Sequence, residues 1–212
     1  MQSMENLVAV LRLGGATIYP LFVLAFVAAV VVIEKAFVLT ARARLPRSVR
    51  ALIETDAFTW EEVEQQVGAL GPRNYFGRFL RVILDQRKRP AWWVESRASE
   101  EASLIEHAIG RWLWALETIV TAAPLLGLLG TITGMIRAFR LFGTEGLVDP
   151  RGVTGGVAEA LIATAVGLFV ALVALFAFNY FAHRQAQVMD EMEQLGTRLV
   201  GVIRLNDPET AP

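Results

Sequence analysis

The sequence predicts an all-α integral membrane protein with three transmembrane helices. Of its 212 residues, 54% are hydrophobic and only 19% are charged, whereas charged residues make up about 25% of a typical soluble domain. The apolar residues are also gathered in three blocks, and each approaches or exceeds the roughly 20 residues that a helix needs to cross a bilayer. A soluble core explains neither the excess nor the clustering, so the chain is expected to contact a lipid bilayer.

The three blocks predict transmembrane helices at residues 16–39, 116–142 and 154–182. Their apolar surface has no helical period, as expected when a helix faces lipid or protein on every side. The first block could be mistaken for a secretory signal. We interpret it as a retained span, because its apolar run is too long, no basic segment precedes it and no A-x-A-like site follows it.

The distribution of basic residues predicts the orientation of the chain. Arg12 stands alone ahead of the first block, whereas basic residues are frequent between the first two blocks, beginning with Lys35. Since cytoplasmic loops carry the excess of Lys and Arg, the N-terminus is expected outside and the C-terminus inside. The predicted segments between and beyond the spans are an outer N-terminal segment (1–15), a cytoplasmic helical region (40–115), a short outer, periplasmic loop (143–153) and a cytoplasmic C-terminal helix and tail (183–212).

The region between the first two spans is predicted to be helical rather than a linker. Residues Thr59 to Glu62 have the Thr-x-x-Glu pattern of a capping box at a helix N-terminus, and Pro90 is expected to open a later helix. That later helix continues without a breaker into the second span, and the third span continues into the C-terminal helix. The long helices 2 and 3, which carry the second and third spans, are therefore expected to extend into the cytoplasm.

Small residues recur at four-residue spacing in the second and third spans. They are Ala123, Gly127, Gly130 and Gly134 in the second span, and Gly156, Ala160, Ala163 and Gly167 in the third. Small residues let two helix backbones approach closely, which favours helix association in lipid. The pattern predicts association between chains, but the same residues would also serve to hold the two spans together as a hairpin within one chain.

Glu159 is an unexpected residue at the start of the third span. A charged side chain at the bilayer centre costs at least about 2.5–3.5 kcal/mol and typically marks a functional pathway. Two other interpretations stay open from the residues alone. The apolar run after Glu159 is already long enough to span, so the carboxylate could be solvated at the outer interface. Arg137 also falls at a similar depth in a symmetric hairpin, where it would form an ion pair with Glu159.

The sequence offers no pattern for a cofactor, a metal ion or catalysis. It has no cysteine, and its two histidines, His107 and His183, are far apart and belong to no metal-binding motif. It has no Ser–His arrangement or pair of intramembrane acids, so an enzyme is not expected. The arginines flank the spans and are explained by topology, so nucleic acid is not expected as a partner.

Two blocks of the sequence resemble the ExbB/TolQ branch of the MotA/TolQ/ExbB proton-channel family. They are APLLGLLGTITGMIRAF (Ala123–Phe139) and GGVAEALIATAVGLFVALVA (Gly155–Ala174), in this order and separated by a short loop. The resemblance implies that Glu159 is the pore-facing carboxylate of the third span, and that Thr164 and Thr131 are pore-lining hydroxyls. A carboxylate takes up and releases protons, and hydroxyls both donate and accept hydrogen bonds, so these groups suit a water-filled proton path.

The resemblance also implies partners and a location. Such proteins form a homopentamer around the transmembrane helices of an ExbD- or TolR-like single-span partner in the bacterial inner membrane. Protons that cross the assembly drive a motion that a TonB- or TolA-like transducer uses for transport or envelope processes. An ExbB role and a TolQ role both stay open, whereas MotA proteins lack this glutamate and have a larger cytoplasmic portion.

Two basic residues near the outer end of the second span, Arg137 and Arg140, depart from the family pattern. Arg137 keeps an alternative function open. In that alternative the chain is a structural membrane scaffold, and Glu159 pairs with Arg137 only to hold the hairpin together.

Overall fold

The apolar blocks form long helices in the computed structural model, which describes residues 15–55, 58–140 and 150–205. No strand occurs within those ranges, and the prediction of an all-α fold is confirmed. In chain order the helices are α1 (Ile18–Ala41), α2 (Arg47–Glu54), α3 (Trp60–Gly68), α4 (Tyr75–Gln86), α5 (Ala91–Gly110), α6 (Leu113–Arg140) and α7 (Pro150–Leu205). Among these residues, three segments are long and apolar enough to cross a membrane, as predicted: Ile18–Ala41, Ala91–Arg140 and Gly152–Leu205.

Several predicted segments lie wholly or partly outside the described residues. They are the N-terminal segment 1–15 apart from Gly15, residues 56–57 of the region 40–115, the last two residues of the second span (141–142), the loop 143–153 up to residue 149, and the tail after Leu205. The third span and the C-terminal helix, by contrast, are a single element. Helix α7 begins at Pro150 and runs without interruption to Leu205, as the sequence predicts.

The chain divides into two compact units, of which the first holds most of the apolar surface. Unit 1 comprises Met1–Val32 and Trp112–Tyr180, and thus includes the first part of α1, all of α6 and the first part of α7. Large apolar side chains are exposed on each of these helices, for example Phe26, Leu125 and Phe176. Soluble monomers rarely expose contiguous apolar patches of this kind, so the surface suits contact with lipid or with neighbouring apolar helices.

Unit 2 comprises Ile33–Arg111 and Phe181–Pro212 and has a core of its own. Phe76 of α4, Ile105 of α5 and Leu199 of α7 are fully buried in it. The predicted capping box opens α3: Glu62 N donates to Thr59 Oγ1 at 3.4 Å, and Thr59 N donates to Glu62 Oε2 at 3.0 Å. The backbone N–H of Thr59 lowers the pKa of the Glu62 carboxyl, because this hydrogen bond stabilises the ionised form.

One prediction is wrong: the helix that begins after Pro90 does not continue into the second span. Helix α5 ends at Gly110, Arg111 has an extended backbone with ψ of 132°, and Trp112 has a φ of 73°. Helix α6 then starts at Leu113. A positive φ is costly for a residue with a bulky side chain and is therefore not expected at a tryptophan. The apolar pattern continues through this point and does not predict the break between α5 and α6. Gly110 was the available signal, since glycine is frequent at helix ends.

Lys35 is fully buried in unit 2 and contacts the end of α5. Its Nζ donates to Ile109 O at 2.7 Å and lies 3.1 Å from Oε2 of Glu34. The last carbonyls of a helix have no partner within the helix and favour a nearby cation. Lys35 therefore stabilises the end of α5, next to the point where the chain leaves the helix.

Candidate functional site

Small residues hold α6 and α7 together as an antiparallel hairpin. The facing pairs are Gly127–Thr164, Gly130–Ala163, Gly134–Ala160, Gly156–Ala138 and Gly167–Ala123. A Cβ added to Gly167 would lie only 2.6 Å from the carbonyl oxygen of Ala123, so the two backbones approach more closely than a side chain there would allow. The small residues thus pack within one chain, which is the second of the two uses that the sequence left open. They carry no argument for association between chains.

Glu159 and Arg137 form an ion pair across this hairpin. Arg137 Nη1 donates to Glu159 Oε1 at 2.6 Å, and the two side chains are 50% and 24% exposed, respectively. The exposed part of the pair lies on the surface of the hairpin, so the two charged groups are not enclosed between the helices. The guanidinium group balances the charge of the carboxylate, and the small residues allow the close packing of the two helices.

The two predicted hydroxyls both donate to the backbone of α6. Thr164 Oγ1 reaches across the hairpin to Gly127 O at 3.0 Å, and Thr131 Oγ1 donates to Leu128 O, in its own helix, at 2.7 Å. A hydroxyl has one hydrogen and two lone pairs. Each threonine therefore uses its hydrogen within the protein and keeps its lone pairs as acceptors.

The facing pairs also show the order in which the polar groups follow one another along the long axis of the hairpin, here called their levels. Thr131 lies on α6 between the residues that face Thr164 and Ala160. Its level is therefore between those of Thr164 and Glu159, since Glu159 is the neighbour of Ala160. The carboxylate and the two hydroxyls thus occupy successive levels of an otherwise apolar hairpin.

These polar groups lie in the part of the chain that matches a known protein family. The model of the MotA/TolQ/ExbB proton channel family matches residues 72–194, which is more than half of the chain. The chain belongs to this family. The match includes all of α6 and the part of α7 that carries Glu159 and Thr164.

Relatives named ExbB and TolQ assign this family member to the ExbB/TolQ branch. The biopolymer transport protein ExbB-like 1 of Synechocystis sp. is 32% identical over 199 residues, which cover 90% of this chain and 76% of the relative. ExbB of Xanthomonas campestris is 44% identical over 78 residues, covering 37% of this chain and 31% of the relative. TolQ of Pseudomonas aeruginosa is 40% identical over 74 residues, covering 35% and 32%. The last two matches thus span about a third of each relative's length.

Two further residues of this ExbB/TolQ-branch protein contact the site, although no motif predicts them. Gly15 has a φ of 65°, and a Cβ there would overlap Oε1 of Glu159 and lie 2.6 Å from its Cδ. Thr17 Oγ1 lies 2.8 Å from the position that a Cβ on Gly130 would take. The chain ahead of α1 therefore contacts both α6 and α7. The available signal is the pair of glycines at 14 and 15, since paired glycines mark turns.

Proposed function

We propose that the chain is the channel-forming subunit of a proton-driven motor of the ExbB/TolQ type, and that Glu159 is its proton relay. One observation carries the proposal. Glu159 is an acid in an apolar helix hairpin, only 24% exposed, within the region that matches the proton-channel family. Acids in such surroundings are costly to insert and typically mark proton or ion pathways.

Thr131 and Thr164 extend this relay along the hairpin. Each hydroxyl donates its hydrogen to a carbonyl of α6 and so offers its lone pairs to water. A proton that moves through water along this hairpin would pass the Glu159 carboxylate and the hydroxyl oxygens of Thr131 and Thr164 at successive levels. The proposed order along the axis is Glu159, Thr131 and Thr164.

Arg137 supplies the counter-charge while Glu159 is ionised. Proton uptake neutralises the carboxylate and removes the charge–charge attraction between Glu159 and Arg137, whose Oε1 and Nη1 atoms lie 2.6 Å apart. Proton release restores that attraction. Each transfer therefore weakens and then restores a contact between α6 and α7, which links proton movement to the geometry of the hairpin.

The proposal includes an orientation and a location. The N-terminus is outside and the C-terminus inside, with α2 to α5 and the last part of α7 in the cytoplasm of a bacterium and the spans in its inner membrane. The concentration of Lys and Arg between the first two spans supports this orientation. The similarity to a biopolymer transport protein and a Tol-Pal system protein, both from bacteria, supports a bacterial membrane.

The proposal also includes partners. A homopentamer encloses the helices of an ExbD- or TolR-like single-span protein and acts on a TonB- or TolA-like transducer, so the chain works by conduction and motion rather than as an enzyme. The membership of the chain in the MotA/TolQ/ExbB proton channel family and its similarity to ExbB and TolQ relatives support these partners. The glycines between α6 and α7 are already used within the chain, so contacts between chains are expected to use the exposed apolar residues, such as Phe26 and Phe176.

Omission of one component tests the proposed subunit role. The chain would be co-expressed with each ExbD- or TolR-type single-span protein of its own genome, and the purified complexes reconstituted into liposomes that hold a pH-sensitive dye. We expect proton uptake, driven by a potassium diffusion potential, only when both proteins are present. Equal uptake with the chain alone, or no uptake with any of these partners, would contradict the proposal.

A structural scaffold is the second candidate function, and the ion pair between Arg137 and Glu159 favours it. In a scaffold the pair only joins two helices, so neutralising Glu159 would leave partner-dependent conduction intact. In a relay the same change removes the group that carries the proton. The two functions therefore differ in whether conduction depends on the acid itself.

A further inference from the structure

The turn ahead of α1 is shaped by the absence of a side chain at Gly15. Gly15 has a φ of 65°, a left-handed conformation that residues with a side chain adopt at a cost. Its carbonyl oxygen accepts the N–H of Ile18 at 3.3 Å, which closes the turn onto the first residue of α1. The backbone alone therefore favours glycine at this position.

The carboxylate of Glu159 also favours glycine at position 15, independently of the backbone conformation. A Cβ at Gly15 would overlap Oε1 of Glu159 and lie 2.6 Å from Cδ and 3.2 Å from Cγ. Real Cβ atoms essentially never come within 3.0 Å of another heavy atom in this way. The end of the Glu159 side chain thus occupies the volume that any side chain at position 15 would fill.

Other contacts hold the turn in place against Glu159. Thr17 Oγ1 lies against Gly130, 2.8 Å from the position that a Cβ there would take. Ile18 and Leu21, which follow the turn, are fully buried. A side chain added at Gly15 would therefore displace the flexible end of Glu159 rather than the turn.

We propose that Gly15 is a positioning residue for Glu159. The space left by its missing side chain holds the carboxylate 2.6 Å from Arg137, and the turn covers one side of the carboxylate. This role rests on the proposed function of Glu159 as the proton relay. The relay would then involve three segments of the chain: α6, α7 and the turn ahead of α1, which determines where the carboxylate of Glu159 lies.

Two matched glycine substitutions in the reconstituted complex test this role. Gly15→Ala and Gly155→Ala each add one methyl group, but Gly155 lies in α7 with no atom within 4 Å of its added Cβ. We expect Gly15→Ala to lower partner-dependent proton uptake by up to about a hundredfold, the loss that displacing a reacting group by about an ångström can cause. We expect Gly155→Ala to leave uptake unchanged. Uptake at the wild-type level in Gly15→Ala would overturn the proposal.

Shortening the acid distinguishes a displaced carboxylate from a disturbed turn. In the wild-type background, Glu159→Asp withdraws the carboxylate and is expected to lower uptake. In the Gly15→Ala background, the same shortening makes room for the added methyl group, so the double variant is expected to conduct better than Gly15→Ala alone. A double variant that conducts no better would assign the effect to backbone strain in the turn, and would overturn the proposal.

A chemical readout distinguishes the failure of this role from the failure of the proposed function. The rate at which a carbodiimide modifies Glu159, measured by mass spectrometry at one fixed pH, reports how accessible and how readily protonated the carboxyl group is, whether or not it takes part in conduction. Both properties change if the carboxylate moves away from Arg137. We expect the rate to rise severalfold in Gly15→Ala and to stay unchanged in Gly155→Ala. A raised rate together with full conduction by Glu159→Gln would contradict the relay but support the positioning. An unchanged rate together with loss of conduction in Glu159→Gln would support the relay but contradict the positioning.

Discussion

Arg137 Nη1 and Glu159 Oε1 are 2.6 Å apart, and they join two helices whose facing surfaces are built largely from glycine and alanine. A scaffold and a relay make different demands on this pair. A scaffold needs opposite charges at the two positions, whichever helix carries the acid. A relay needs the carboxylate on α7, level with its path and next to the turn at Gly15.

Exchanging the two charges separates these functions. Arg137→Glu combined with Glu159→Arg keeps an ion pair but moves the acid to α6. We expect the complex still to assemble, because opposite charges again face each other across the hairpin. We also expect the exchange to abolish proton uptake in liposomes, since the acid has left its path. Normal uptake by the exchanged variant would favour the scaffold.

The close approach of α6 and α7 predicts opposite effects for two glycine substitutions in α7. Gly167→Ala brings a Cβ to 2.6 Å from Ala123 O, and this overpacking is expected to lower the free energy of unfolding by about 1–3 kcal/mol. Gly155→Ala has open space around its Cβ and is expected to raise it by about 0.5–1 kcal/mol, because alanine favours helix. Thermal unfolding of the detergent-purified proteins, followed by circular dichroism, measures both effects. Equal stability of the two variants would refute the assigned packing.

The burial of Lys35 predicts a loss of stability when its charge is removed. Lys35→Met leaves Ile109 O without the donor at 2.7 Å and Glu34 without its counter-charge. We expect a loss of about 1–3 kcal/mol, the cost of leaving a buried polar group unsatisfied. The matched control is Lys88→Met, because Lys88 is exposed. Denaturant unfolding compares the two, and similar midpoints would argue against a stabilising role for Lys35.

The capping box of α3 predicts a contribution to stability that depends on pH. The folded-state pKa of Glu62 is lowered by the N–H of Thr59. The contribution is therefore fully present above the unfolded pKa, about 4.3 for glutamate, and is lost as the pH falls through the lower folded-state pKa. We expect Glu62→Gln to speed hydrogen exchange in Trp60–Gly68 at neutral pH and to match wild type in strong acid.

Mass spectrometry of the α3 peptide, with variant and wild type compared at the same pH, measures this exchange. The neighbouring exposed residue Glu61 provides the control, since Glu61→Gln leaves the capping box intact. A difference between Glu62→Gln and wild type that persists unchanged in strong acid would show that the carboxylate charge is not responsible.

The sequence predicts those features of the fold that depend on a pattern within one short stretch of the chain. Apolar blocks of about 20 residues identify the spans, and the Thr59–Glu62 pattern identifies the start of α3. The end of α5 is different, because the positive φ at Trp112 occurs at a residue type that does not mark a turn in the sequence. The burial of Lys35 likewise depends on Ile109, which is 74 residues away in sequence.

The candidate site is predictable to a similar extent. Glu159 is conspicuous because an acid interrupts an apolar pattern, and Arg137 follows from the symmetry of a short hairpin. Thr131 and Thr164 are predicted only by the family resemblance, since threonine is common in apolar helices. Gly15 could not be assigned to the site, because its contact with Glu159 joins two segments that are far apart in the chain.

Proton uptake by the reconstituted complex tests the proposed role of Glu159 most directly. Glu159→Gln removes the group that can release a proton while keeping nearly the same shape. Glu117→Gln, an exposed acid of α6, serves as the matched control. We expect partner-dependent uptake to fall to the level of liposomes without protein in Glu159→Gln and to stay at the wild-type level in Glu117→Gln. Undiminished uptake in Glu159→Gln would contradict the relay.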